Sequence, residues 1–97
     1  MQFEGIYTPI VTPYHDDFSV NEDALALTVE HLIASGVHGI IVAGSTGEYY
    51  AQTTKERLWM MTRCAALIAG RVPMVIGTGA IRTEDSVMYA QAAKAAG

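Results

Sequence analysis

The chain is short of several residue types, and each shortage excludes something. Its 97 residues contain one cysteine, Cys64. That excludes an intrachain disulfide framework and a multi-cysteine zinc site. Charge is sparse at 16%, with Lys+Arg 6 against Asp+Glu 10 and a formal net charge of -4. A chain of that sign lacks the basic stripe that a nucleic-acid groove requires. No apolar run approaches the roughly 18–20 residues needed to span a bilayer. The start, Met1-Gln2-Phe3-Glu4, has no basic n-region and no long apolar stretch behind it. A cytoplasmic location with no membrane partner is therefore expected. No low-complexity tract, linker or charge run divides the chain.

What is present suits a globular α/β segment. Hydrophobic residues make up 51% of the chain, too many for a disordered one. Three apolar runs stand out: Ile6 to Val11, Gly39 to Ala43 and Met74 to Gly77. The second and third are continuous rather than alternating, as in parallel strands covered on both faces. The first contains Pro9, which removes a ladder donor and predicts an irregular strand or a bulge.

Helical patterns follow each run. Asn21 is placed to cap a helix with the stripe Leu25, Val29, Leu32 and Ile33, and Gly36 fits its left-handed stop. Thr53-Thr54-Lys55-Glu56 reads as a capping box. The helix it opens has the stripe Leu58, Met61, Ala65 and Ile68, and stops at Gly70. Thr83 is the expected cap of a third helix, with Val87 and Ala90 inward and Gly97 at its end. Met60 and Met61 read as core packing rather than a cofactor contact. The order β-α-β-α-β-α implies a parallel sheet, either doubly wound or a (β/α)8 barrel. Three such strands alone would leave an unpaired edge, so a longer parent chain is expected.

Ligands bind at the carboxyl ends of strands in such folds. The loops there are Thr12-Pro13-Tyr14, Gly44-Ser45-Thr46-Gly47-Glu48 and Thr78-Gly79-Ala80, with Thr8 on the first strand itself. Ser45 and Thr46 can add hydroxyl donors to backbone N–H groups, a set that suits a carboxylate or phosphate. The competing reading is that Gly44 and Gly47 merely make a tight turn. Nucleotide fingerprints are not matched: no G-x-x-x-x-G-K-[ST] run is present, and a G-x-G-x-x-G starting at Gly77 meets Arg82 where glycine is needed.

The G-x-x-G-E run Gly44 to Glu48 resembles the signature of the dihydrodipicolinate synthase / N-acetylneuraminate lyase family. Gly5 to Pro13 is similar to that family's first strand and trailing T-P, and Arg71 to Ala80 to its third strand and G-T-G turn. The resemblance implies that residues 1–97 form the N-terminal part, three βα units, of one (β/α)8 barrel of roughly 300 residues. It implies a class I aldolase or lyase, usually a homotetramer, that uses no metal or organic cofactor. A lysine forms a Schiff base with pyruvate or a related 2-oxo acid, and an aldehyde is the second partner. By the same resemblance Thr46, Ser45 and Gly47 bind substrate, Thr46 taking the carboxylate, and the Ser45 hydroxyl is the catalytic proton relay.

The residues present leave parts of that chemistry unfilled. Lys55 and Lys94 are the only lysines, and both fall in terminal turns of helices rather than on buried strands. The Schiff-base lysine and a catalytic tyrosine are thus expected beyond residue 97, and the 97 residues alone are expected to be inactive. His15, His31 and His38 lack ligand-type spacing, against a metal-dependent aldolase. Glu48 is expected to accept backbone N–H bonds near the coming helix, rather than to act as a base. Tyr49 and Tyr50 suit a site, a subunit contact or packing, and Tyr89 a helix face. Regulated relatives carry small polar residues where this chain has Tyr49 and Ile81, which argues against lysine feedback. Two other functions stay open: a non-catalytic partial-barrel interaction module, and a nucleotide-binding doubly wound domain. Within the family, an N-acetylneuraminate lyase or sugar-acid aldolase or dehydratase is the alternative, although the G-T-G-A turn leans toward the synthases.

Overall fold

The computed structural model describes residues 3–97. Met1 and Gln2, the start of the stretch read for a leader, lie outside the described residues. Three parallel strands are each followed by a helix: β1 (Tyr7–Pro9), α1 (Glu22–Ala34), β2 (Gly39–Val42), α2 (Thr54–Ile68), β3 (Met74–Ile76) and α3 (Thr83–Ala96). The strand order is β1-β2-β3, with Thr8 opposite Ile40 and Ile40 opposite Met74. The central strand is the best covered, with Gly39, Ile40 and Val42 buried. That is why it reads as an unbroken apolar run. Pro9 closes β1 on the sheet's edge, where a missing donor breaks no second ladder. The core gathers Ile10, Leu25, Val29, Ile40, Val42, Ala43, Met60, Cys64 and Ile68.

The N-caps of the first two helices are those the sequence predicts, while α2 turns left-handed at Ala69, one residue before Gly70. The Asn21 side chain accepts from the Ala24 N–H at 3.0 Å, and Gly36 takes φ +89° behind α1. Thr53 and Glu56 make the reciprocal pair, at 3.1 and 2.9 Å. Glu22 pairs with Arg63 across α1 and α2, while both Arg71 Nη atoms reach the Glu30 carboxylate at 3.0 and 2.6 Å. The Arg71 guanidinium holds that carboxyl below its usual range.

Two helices sit differently from expectation. The buried stripe of α2 is Arg57, Met60, Met61, Cys64 and Ile68, with Leu58 and Ala65 only half-buried beside it. The stripe is turned because the α2 N-terminus buries a guanidinium, which a hydropathy pattern assigns to solvent. In α3 the cap position is Arg82, without a side-chain cap bond, and Thr83 is the first helical residue. Val87 and Ala90 are exposed, and Tyr89 is the buried residue of this helix. The helix rotates to bring the Tyr89 ring over Arg57, with the Tyr89 hydroxyl 3.1 Å from Thr54 Oγ1.

Cys64 is wholly buried, and burial pushes its thiol pKa up to about 11. Only a trace of thiolate exists near neutral pH, and no reagent reaches it without opening the core. Iodoacetamide at pH 8 is therefore expected to leave Cys64 unmodified in the folded protein and to label it fully in denaturant. Mass spectrometry of the two samples checks this; full labelling of the folded protein would contradict it.

Candidate functional site at the carboxyl ends of the strands

The three loops at the carboxyl edge of the sheet are tied to one another by backbone and side-chain bonds. β2 is followed by Ala43, a buried alanine in the left-handed region at φ +59°. An L-residue adopts that conformation at a cost of about 1–2 kcal/mol. Its neighbours hold it there. The Gly77 N–H donates to the Val42 carbonyl at 2.8 Å. A Cβ on Gly77 would fall inside the van der Waals envelope of the Ala43 carbonyl oxygen, so the two loops touch backbone to backbone.

The first strand's loop braces the same turn from the other flank. Thr12 is 5% exposed, and its hydroxyl donates to the Gly47 carbonyl at 2.8 Å. Gln52 Nε2 in turn donates to Thr12 Oγ1 and to the Tyr14 hydroxyl, both at 3.2 Å. Gly47 lies so near β1 that a Cβ there would stand 3.0 Å from the Ile10 carbonyl oxygen. Two further bonds wind the turn on itself: Gly47 N–H to Gly44 O at 3.1 Å and Glu48 N–H to Ser45 O at 3.0 Å.

These bonds spend the N–H groups of Gly47 and Glu48. Among the described residues, the N–H and hydroxyl groups of Ser45 and Thr46 donate to no protein acceptor. Both residues are exposed at the loop. With the Gly44 N–H, which is unspent too, the turn has three successive N–H groups and two hydroxyls on a fixed backbone, a donor set for a carboxylate or a phosphate. Gly47 shapes the turn while its neighbours carry the free donors.

The other candidates are placed as follows. Glu48 is exposed, at φ +61°, and its side chain caps nothing. The expected role as acceptor for helix N–H groups is thus not met, because a 3-10 turn (Tyr49–Ala51) separates Glu48 from α2 and Thr53 takes the cap. Tyr49 is half-buried, 5.0 Å from Arg57 and edge-on to Tyr50, which is 69% exposed. Lys55 and Lys94 are both exposed. His38 Nδ1 accepts from the Ile6 N–H at 2.9 Å, while His15 and His31 lie elsewhere on the surface. Arg57 was missed from the sequence. It donates to Gly79 O at 2.7 Å and Gly77 O at 3.1 Å, and with Tyr49, Tyr50, Ile81, Asp85 and Tyr89 it borders a cavity beside the turn. The available signal was its spacing, three and four residues before Met60 and Met61 and seven before Cys64.

A sequence profile of the dihydrodipicolinate synthetase family matches residues 2–97. The chain is 39% identical over 97 residues to a 4-hydroxy-tetrahydrodipicolinate synthase of Methanoculleus marisnigri, covering 98% of this chain and 33% of the relative. It superposes with a TM-score of 0.95, at 30% identity, on dihydrodipicolinate synthase from Acinetobacter baumannii complexed with pyruvate, covering 99% of this chain and 33% of that one. A prophage protein of the same family from E. coli, in complex with pyruvate, gives a TM-score of 0.96 at 30% identity, covering 100% of this chain and 33% of that one. The chain thus spans about a third of the length of the relatives it matches. Its three βα units are those of a (β/α)8 barrel.

Replacing Thr12 with valine removes the donor to Gly47 O and the acceptor for Gln52 together. Gly47 O is left without a donor in a buried turn and Gln52 Nε2 keeps only Tyr14, so Thr12→Val is expected to destabilise the protein by about 1–3 kcal/mol. Thr12→Ser is expected to retain most of the stability. Urea unfolding of the two variants checks this, and equal midpoints for Thr12→Val and wild type would contradict the bracing role.

Proposed function

Because the chain belongs to the dihydrodipicolinate synthetase family, we propose that it is the N-terminal part of a single-barrel class I aldolase or lyase acting on pyruvate or a related 2-oxo acid. The observation that supports this reading is the pair of unspent donor residues, Ser45 and Thr46, on a turn braced from both sides. A 2-oxo acid carries a carboxylate beside the carbonyl that reacts. Fixed N–H and O–H donors orient it, and the geometry is set before substrate arrives. Thr46 and the adjoining N–H groups take the carboxylate, and Gly47 holds the turn that presents them. The Ser45 hydroxyl, which can donate and accept, passes a proton between groups on either side of the reacting carbon.

The nucleophile in this reading is a lysine supplied by the rest of the barrel, since Lys55 and Lys94 stand in water at helix ends. Its amine condenses with the 2-oxo carbonyl, expelling water. The carbon next to the imine then gives up a proton, and as an enamine it bonds to the aldehyde carbon while the aldehyde oxygen takes up a proton; cleavage runs the same steps in reverse. The residues of this chain act as anchor and relay, no metal or organic cofactor is needed, and the chain without its barrel is inactive. A cytoplasmic homotetramer completes the proposal. Bulky Tyr49 and Ile81, set beside Arg57, fit an enzyme without lysine feedback.

Incubating the full-length protein with pyruvate and borohydride is expected to give one reduced adduct on a lysine outside residues 1–97. In the same protein Thr46→Val is expected to raise KM for pyruvate and lower kcat, by about 10-fold in kcat/KM or more. Ser45→Ala is expected to lower kcat more than it raises KM. No adduct by mass spectrometry, or unchanged kinetics in Thr46→Val, would overturn the assignment.

A further inference from the structure

Arg57 is the one charged residue in the core of the described chain, 4% exposed. A leucine would continue the apolar stripe of α2 at no electrostatic cost, whereas the buried guanidinium leaves its Nε without a partner. The arginine does something a leucine cannot. Its two Nη atoms donate to two carbonyls of one loop, Gly79 O at 2.7 Å and Gly77 O at 3.1 Å. A planar fork fixes the separation and direction of both acceptors at once. The plane is itself held, with its Cζ 3.7 Å from the Tyr89 ring centroid and 5.0 Å from that of Tyr49.

Gly77, Gly79 and Tyr49 lead back to the donor turn. Gly77 donates to Val42 O and lies against the Ala43 carbonyl, at the strained alanine just before Gly44-Ser45-Thr46. Tyr49 follows Thr46 by three residues, and its hydroxyl also packs near Gly79, 3.3 Å from where a Cβ would stand. The guanidinium therefore grips the loop after β3 and abuts the far end of the turn after β2. We infer that Arg57 is a positioning residue: by clamping Gly77 and Gly79 it sets the backbone of Ser45 and Thr46 for substrate, without touching substrate itself. The link to substrate rests on the carboxylate reading of those two residues; the clamp does not.

The test uses the full-length protein and Arg57→Lys, which keeps the charge but not the fork, with Arg57→Met as the apolar control. Hydrogen exchange is followed by mass spectrometry over residues 43–52, 74–82 and 22–34. In Arg57→Lys, exchange is expected to quicken about 10-fold in the first two segments and to stay unchanged in 22–34, which reports helix α1. KM for pyruvate is expected to rise about 10-fold with a smaller change in kcat, as for loss of an anchor rather than a reacting group. Arg57→Met is expected to show the same pattern. Unchanged exchange in residues 43–52, or quickening spread equally over all three segments, would overturn the clamp. Quickened loops with unchanged KM in an active enzyme would overturn the positioning role. If the wild type neither binds nor turns over pyruvate, the carboxylate reading fails, and the exchange pattern still decides the clamp.

Discussion

The site depends on one backbone contact, the closeness of Gly77 to Ala43. Ala43 sits in a conformation that costs an alanine free energy, and it stays there because its carbonyl is pressed against a residue with no side chain. The N–H of that same glycine takes the Val42 carbonyl. The chain leaves β2 sharply as a result and turns back under Thr12. Had Gly77 any side chain, the loop after β3 would have to move out, and the turn would lose one of its two walls.

From that contact the chemistry follows by counting donors. A five-residue turn has few ways to hold itself, and here it uses the N–H groups of Gly47 and Glu48 and the carbonyls of Gly44, Ser45 and Gly47. What is left over is the N–H groups of Gly44, Ser45 and Thr46 and the two hydroxyls. A loop that is both strained and braced on two sides can offer those groups without reorganising when an anion arrives. The polar residues that do the bracing, Thr12, Gln52 and Arg57, spend their donors on neighbouring groups of these loops.

Much of this is legible in the sequence, and the boundary is physical. Continuous apolar runs identify β2, which is buried at three of its four positions, and β3, which is half-buried beside it. Asn21, Gly36 and the Thr53–Glu56 box mark helix ends because capping is a local bond between near neighbours. The G-x-x-G-E run marks the turn. Illegible were the features made by distant partners. Arg57 is buried only because carbonyls 20 and 22 residues away and two aromatic faces receive it. Tyr89 is inward, and Val87 outward, because α3 turns to meet that guanidinium. Glu48 misses the helix it was expected to cap because the intervening Tyr49–Ala51 turn is not visible as a periodic pattern.

The central claim is that Ser45 and Thr46 anchor the carboxylate of a 2-oxo acid. A crystal structure of the full-length protein soaked with pyruvate tests it most directly. The account predicts carboxylate oxygens within hydrogen-bond distance of the Ser45 and Thr46 N–H groups, with the Ala43–Gly77 contact unchanged. Pyruvate bound with its carboxylate elsewhere, and these N–H groups facing only water, would contradict it.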